Sequence, residues 1–151
     1  MKLSIGGAFQ GKKAFAEKLR AAQAHSAASA ALAEEAPVTP EIVSGEASNL
    51  AAADGAACAF DDIFRVPVLY HFHEYIRRCL EEERDFSNLA EALMDRNPDI
   101  ILVTNELGYG VVPIDKFDRR YRESHGRICC RIAAAADQVW RVYCGIGERI
   151  K

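Results

Sequence analysis

The sequence predicts an α/β domain of three layers, in which helices cover both faces of a mostly parallel central sheet. Strand-like and helix-like segments alternate along most of the chain. The apolar run "DIILVT" (residues 99–104) has the continuous hydrophobicity of a strand that is buried on both faces. A glycine-rich turn lies between the first strand candidate and the first helix candidate, in "KLSIGGAFQGKK" (residues 2–13).

Composition and charge narrow the class of protein. The 151 residues suffice for one domain with its own core, and we expect residues 1–151 to form a single α/β domain. The net charge of -3 argues against partners such as nucleic acid or an anionic membrane surface. Since no apolar run is long enough to span a membrane, the expected compartment is cytoplasmic. The five cysteines lack the C-x-x-C spacing of a zinc site, so we expect reduced, mostly buried thiols.

The N-terminal part of the chain begins with a strand candidate at residues 2–5. Residues 12–35 favour a helix by composition, and Pro37 and Pro40 would end it because proline lacks the backbone donor. A short strand is expected at 41–43. Residues 44–62 show no clear period and are interpreted as a loop with one short helix.

The rest of the chain continues the alternation. A strand is predicted in 65–72, followed by helices at 73–83 and 87–97, with the Ser87 hydroxyl capping the second helix and Pro98 closing it.

Beyond the buried strand, the C-terminal part is predicted to contain one helix and one strand. Residues 115–137 favour a helix that is interrupted near Gly126, and "QVWRVYCGI" (residues 138–146) supplies the last strand.

The turn after the first strand has the spacing G-x-x-x-x-G-K of a phosphate-binding loop. In such a loop, successive backbone N–H groups point at one anion, and the N-terminus of the following helix adds partial positive charge. The lysine neutralises charge during transfer, which makes Lys12 the catalytic candidate. We expect GTP or ATP to bind through Gly6, Gly7, Ala8, Phe9, Gln10, Gly11, Lys12 and Lys13.

Lys13 departs from the pattern of the loop. Ser or Thr normally follows the lysine and ligates Mg²⁺ through its hydroxyl, whereas an ammonium group cannot ligate a cation. Mg²⁺ binding is therefore expected to be weakened or rearranged. Either Lys13 points away and water takes the position, or the nucleotide binds and the kinase chemistry is lost. No residue is assigned as a metal ligand.

Further polar candidates lie at predicted strand ends. Asn105 and Glu106 follow the buried strand, where open parallel sheets bind their ligands. His71 and His73 would lie on one side of a strand that continued through them, and could then bind a metal or take part in phosphate chemistry. The alternative is a polar strand end with ordinary hydrogen bonds.

Residues 101–151 resemble the end of the bifunctional adenosylcobinamide kinase / adenosylcobinamide-phosphate guanylyltransferase family of cobalamin biosynthesis. The resemblance is carried by "VTNELGYGVVP", "RRYRESHGR" and "AAAADQVW" followed by "GIG". The segment "IGGAFQGKKAFAE" is similar to the opening of that family, with Lys13 where the family has Ser. The chain is thus identified as a short, divergent member.

The resemblance implies a P-loop NTPase-like fold, a homotrimer and two linked reactions. A nucleoside triphosphate phosphorylates adenosylcobinamide, and GTP then donates GMP through a histidine adduct. In this likeness His71 takes the place of an acidic residue that helps to hold Mg²⁺, and Glu46 corresponds to a nucleotide-binding acid. His25 is the histidine nearest to the family's nucleophile, but its surroundings differ, and that role is not assigned to it.

Three functions follow from these patterns. The leading hypothesis is an enzyme of this kinase and guanylyltransferase family. The second is a catalytically degenerate or regulatory protein that kept nucleotide binding on the same scaffold, which the altered metal positions favour. The third is a structural α/β module without a nucleotide.

Overall fold

The structure, a computed structural model, describes residues 1–31 and 51–151. Its strands are β1 (Lys2–Gly6), β2 (Ala53–Asp54), β3 (Val68–Tyr70), β4 (Ile101–Asn105), β5 (Gln138–Tyr143) and β6 (Ile146–Arg149). Its helices are α1 (Lys12–Ala31), α2 (Phe72–Glu81), α3 (Leu89–Arg96) and α4 (Lys116–Ala135), with a 3₁₀ helix at Phe60–Phe64.

The strands form one sheet in the order β2-β3-β4-β1-β5-β6. All neighbouring strands are parallel except β5 and β6, which confirms the predicted α/β fold with a mostly parallel sheet. Because β1 lies between β4 and β5, Gly6 pairs with Asn105, and the turn after β1 leaves the sheet at its carboxyl edge.

Helices cover both faces of this sheet, so the three-layer arrangement is also confirmed. On one face, Ala16 of α1 packs against side chains of β3 and β4, among them Ile101 and Val103. On the other face, Leu102 and its neighbours pack against α2, α3 and α4. Successive residues of β4 therefore enter different cores, which explains why that stretch of sequence is continuously apolar.

The hairpin at the end of the chain was not predicted. The sequence suggested one strand through residue 146, but the chain reverses at Cys144 and Gly145 and pairs β6 antiparallel with β5. Both turn residues have positive φ, 48° and 79°, as a tight hairpin with right-handed twist requires. Cysteine is an unusual residue for the first of these positions, so the turn gave little sequence signal.

Two helix predictions are wrong in detail. α4 runs through Gly126 without interruption, and the side chain of Asp115 caps it by accepting hydrogen bonds from the amides of Phe117 and Asp118. Ser87 does not cap α3, which begins after Asn88 and has no side-chain cap. The Ser87 amide instead donates to the Asp85 carboxylate at 2.8 Å.

The remaining predictions of local structure differ in outcome. The helix end at Pro37 and Pro40 and the strand at 41–43 lie outside the described residues. For residues 44–62 the sequence predicts a loop with one short helix. The described part of this segment contains the start of the 3₁₀ helix and also β2, which the sequence does not predict.

The cysteines are free thiols, but only two of the five are buried. Cys79 and Cys129 are buried and Cys58 is half-buried, whereas Cys130 and Cys144 are exposed. The prediction of mostly buried thiols is therefore wrong for the last two. Within the described part of the chain, no helix combines the length and the apolar content needed to cross a bilayer.

The continuous α4 makes Gly126→Ala a stabilising substitution. Gly126 is exposed, and a Cβ atom there would have no neighbour within 4 Å. Alanine restricts the unfolded chain and favours the helix, so we expect the free energy of unfolding in urea to rise by about 0.5–1 kcal/mol.

Gly6→Ala is the matched control, because a Cβ atom at that position would lie 2.4 Å from the Val142 carbonyl oxygen and should destabilise the protein. A loss of stability in Gly126→Ala would contradict an uninterrupted helix.

Candidate functional site

The turn between β1 and α1 is shaped by close backbone contacts that only glycine permits. At Gly6, a Cβ atom would overlap the Val142 carbonyl of β5. Gly11 has φ of +79°, and a Cβ atom there would lie 2.9 Å from Cα of Gly145. The loop therefore curls tightly against the β5–β6 hairpin.

Gln10 fastens this loop to the same hairpin. Its side-chain oxygen accepts a hydrogen bond from the Cys144 amide, and its carbonyl accepts one from the Gly145 amide, both at 2.8 Å. Phe9, at the tip, is fully exposed and has a positive φ of 57°. The loop thus presents its tip to solvent while its base is held in place.

Lys12 begins α1 and extends into the curl of the loop. Its side chain is buried, and Nζ donates a hydrogen bond to the Gly7 carbonyl at 2.6 Å. Burial lowers the pKa of this ammonium group, because charge is costly away from water. An incoming anion would relieve that cost, so the group is well placed to bind phosphate oxygen.

A cleft of about 660 Å³ opens between this loop and the carboxyl ends of β2, β3 and β4. Among the residues predicted for the site, the cleft is lined by Ala8, Phe9, Gln10, Gly11, Lys12, Lys13, His71 and Asn105. Gly6 and Gly7 belong to the backbone beside it. The Glu106 carboxylate lies 3.9 Å from Nη2 of Arg141, outside the lining, and Glu46 is outside the described residues.

Asp54 is a cleft residue that the sequence interpretation missed. It ends β2, and both of its carboxylate oxygens lie 2.9 Å from Nδ1 of His71. Burial alone would raise the pKa of Asp54, but hydrogen bonds from the Ala56 amide and from His71 lower it. The acid beside the cleft therefore comes from a neighbouring strand, while His71 stands where the family resemblance implies an acid.

The signal for this pair was weak because β2 has only two residues and no period. The adjoining glycine is the one local clue: a Cβ atom at Gly55 would lie 2.5 Å from the His71 carbonyl, so only glycine lets the two strand ends approach.

The strand does not continue through His71 and His73, so the condition under which they would lie on one side of it is not met. β3 ends at Tyr70, His71 has a left-handed φ of 51°, and His73 lies within α2. Their rings are 5.8 Å apart, edge to face. In the described residues, no group of three or more His, Cys, Asp or Glu side chains is arranged to hold a metal ion.

Behind the cleft, two buried histidines support the end of β4. His73 contacts Asn105 through both ring nitrogens, at 3.3 Å to the backbone N and 3.0 Å to Nδ2. Nε2 of His125 lies 2.8 Å from the Thr104 hydroxyl and 3.3 Å from Sγ of Cys129. Burial lowers the pKa of each imidazole to about 4, so both are neutral near pH 7 and act by hydrogen bonding.

Lys13 lines the cleft on the side of β3. Its Nζ lies 5.4 Å from the centre of the Tyr70 ring, within the range of a cation–π contact. The Tyr70 hydroxyl donates to the Glu17 carboxylate, one turn further along α1. Lys13 therefore lines the cleft beside Tyr70.

The side chains around the loop do not provide the oxygen ligands that Mg²⁺ needs. Kinases of this fold hold the ion through a loop hydroxyl and a nearby carboxylate. The hydroxyl position is Lys13 here, and the carboxylates beside it already have partners: Asp54 is bound by His71 and Glu17 by Tyr70 and Arg20. This set offers a positive charge where the ion would need oxygen ligands.

Comparison with known proteins places residues 52–150 within a family model described as cobinamide kinase / cobinamide phosphate guanyltransferase. That match covers more than half of the chain. The protein belongs to this family. The family resemblance predicted from the sequence is thus confirmed. The matched residues include Asp54, His71 and Asn105 but not the loop at 6–13.

Two curated relatives are similar over a shorter stretch. The bifunctional adenosylcobalamin biosynthesis protein CobU of Salmonella typhimurium is 52% identical over 52 residues, and the Escherichia coli protein of the same name is 48% identical over 52 residues. Each stretch covers 34% of this chain and 29% of the relative, so the similarity spans less than a third of their length.

Acid should destabilise the protein through its buried histidines. The folded pKa of His125 is about 4, below the ordinary value of 6.5, so the unfolded chain binds more protons between these values. The free energy of unfolding should therefore fall as pH falls from 6.5 towards 4, by up to about 1.4 kcal/mol per pH unit for each such histidine.

Urea denaturation at a series of pH values tests whether His125 causes this loss of stability in acid. In His125→Asn, which keeps a polar side chain that does not titrate, the fall in this range should be less steep. His25→Asn, at an exposed position of α1, is the control and should leave the slope unchanged. An equal slope in all three proteins would show that His125 is not responsible.

Proposed function

We propose that this protein binds a purine nucleoside triphosphate in the cleft and transfers its terminal phosphoryl group to adenosylcobinamide, as a kinase and guanylyltransferase-like enzyme of cobalamin biosynthesis. The observation that carries the proposal is the Lys12 ammonium group inside a glycine loop at the carboxyl edge of a parallel sheet. Family membership supports the corrinoid substrate. We further propose that residues 1–151 act as one nucleotide-binding domain and that the protein assembles as a homotrimer.

Lys12 and the loop amides would hold the outer phosphates. The N-terminus of α1 adds partial positive charge at the same place, and Lys12 would exchange its bond to the Gly7 carbonyl for one to phosphate oxygen. Asn105, held by His73, would line the cleft beside the loop. Phosphoryl transfer depends mainly on such positioning and charge neutralisation.

The Asp54–His71 pair is suited to receive the proton of the acceptor. Asp54 would accept a hydrogen bond from Nδ1–H of His71, which would leave the lone pair on Nε2. Within the described residues Nε2 of His71 has no hydrogen-bond partner. As the acceptor hydroxyl oxygen bonds to the terminal phosphorus, its proton would pass to Nε2 and the bond to the leaving nucleoside diphosphate would break.

Guanylyl transfer would require a histidine in the cleft that can carry GMP. His25 lies more than three turns after Lys12 on α1, a rise of roughly 20 Å, and is not a cleft residue. His73 and His125 are buried. His71 is the exposed histidine of the cleft, so an adduct with GMP would form there, which the intact mass after incubation with GTP would reveal.

A second candidate function is a nucleotide-binding or regulatory protein without turnover. Lys13 at the hydroxyl position and His71 at the acidic position favour it, because both changes remove support for a metal ion during transfer. The two functions share the binding site and differ in whether adenosylcobinamide phosphate is formed.

Removal of the Lys12 ammonium group should weaken nucleotide binding. A hydrogen bond to a charged group contributes about 1.5–3 kcal/mol, so the Kd of Lys12→Ala for GTP should rise roughly 10- to 100-fold in isothermal titration calorimetry. Lys18→Ala removes an exposed lysine from the same helix and serves as the control. Equal affinity in Lys12→Ala and the parent protein would refute binding at this loop.

Loss of the Asp54–His71 pair should slow turnover and leave the affinity for nucleotide nearly unchanged. With GTP or ATP and adenosylcobinamide, His71→Ala should lower kcat for phosphate-ester formation by roughly 10²-fold or more, while the Kd for nucleotide changes little. His25→Ala should behave as the parent protein. If the parent binds nucleotide but forms no ester, the function without turnover is favoured.

A further inference from the structure

The positive charge of Lys13, in the first turn of α1, is the feature that the proposed function leaves without a role in binding. Two consecutive lysines begin the helix. Lys12 is buried in the loop, whereas Lys13 is exposed and lines the same cleft from the β3 side. Lys13 stands at the position where a hydroxyl would ligate a divalent cation.

The Lys13 ammonium group is free to meet a ligand. Among the residues that the structure describes, it forms no ion pair within 4.0 Å. Its contact is with the face of Tyr70, which attracts a cation but takes none of its hydrogen-bond donors. Three N–H donors therefore remain for phosphate oxygens in the cleft.

The acidic side chains that face the loop cannot easily replace a lost metal ligand. Both Asp54 oxygens lie 2.9 Å from His71, and one accepts from the Ala56 amide at 3.0 Å. Glu17 accepts from Tyr70 and from Arg20, and Glu74 lies 3.5 Å from Nε2 of His73. A cation bound here would have to displace these partners and also approach the Lys13 charge.

We infer that Lys13 supplies the counter-charge that Mg²⁺ supplies in other phosphate loops, so that this cleft binds a nucleoside triphosphate without a divalent cation. The inference rests on the proposed nucleotide site and concerns how that site neutralises the polyphosphate. A magnesium ion brings two positive charges and ordered water, whereas Lys13 brings one charge on a side chain already present in the cleft.

Titration of the full chain with GTP, with excess Mg²⁺ and again with EDTA, tests the inference. The Kd of the parent protein should differ by less than about threefold between the two buffers. Lys13→Ser restores the hydroxyl, so its Kd in EDTA should rise about tenfold or more and should recover with Mg²⁺. Lys13→Met, which lacks both the charge and the hydroxyl, should lose affinity in both buffers.

The controls separate this inference from the proposed function. Lys18→Ser changes an exposed charge on the same helix and should match the parent protein in both buffers. Thermal unfolding of each variant confirms that it is folded. If the parent binds GTP only with Mg²⁺, or if Lys13→Ser and Lys13→Met bind as tightly as the parent in EDTA, the inference is wrong and the nucleotide site stands. If GTP binds in neither buffer, both are wrong.

Discussion

The candidate site depends on the close packing of the β1–α1 turn against the β5–β6 hairpin. Gly6 and Gly11 bring the backbone of the turn against Val142 and Gly145, and Gln10 adds two hydrogen bonds to the same hairpin. These contacts hold the curl in which Lys12 is buried. A residue larger than glycine at either position would open the curl and separate the lysine from the amides beside it.

The electrostatics of the cleft follow from what surrounds that curl. The cleft is lined by the two lysines at the N-terminus of α1, by the Asp54–His71 pair and by neutral His73. The acids near the loop are engaged by protein partners, so the positive charge remains available to an anion. This distribution suits a polyphosphate better than a cation, although the net charge of the chain is -3.

Much of the fold follows from local patterns, because these reflect burial directly. The apolar run of β4 predicted a strand covered on both faces, and its polar end at Asn105 correctly indicated the edge at which the cleft opens. The spacing of Gly6 and Gly11 predicted a tight turn, and each of these glycines has a close contact that excludes a side chain. The wrong details, at Ser87 and Gly126, concern helix ends and interruptions, which packing on α4 and its neighbours can override.

The sequence alone determined the alternation of strands and helices, the glycine and lysine spacing of the turn after β1 and the family resemblance, because these are encoded in short stretches of chain. Only the tertiary structure decided that Asp54 meets His71, that His73 lies behind Asn105 and that Lys13 contacts the ring of Tyr70. Each of these contacts joins residues from different strands and helices. Their distances are set by sheet order and helix packing, which no local pattern specifies.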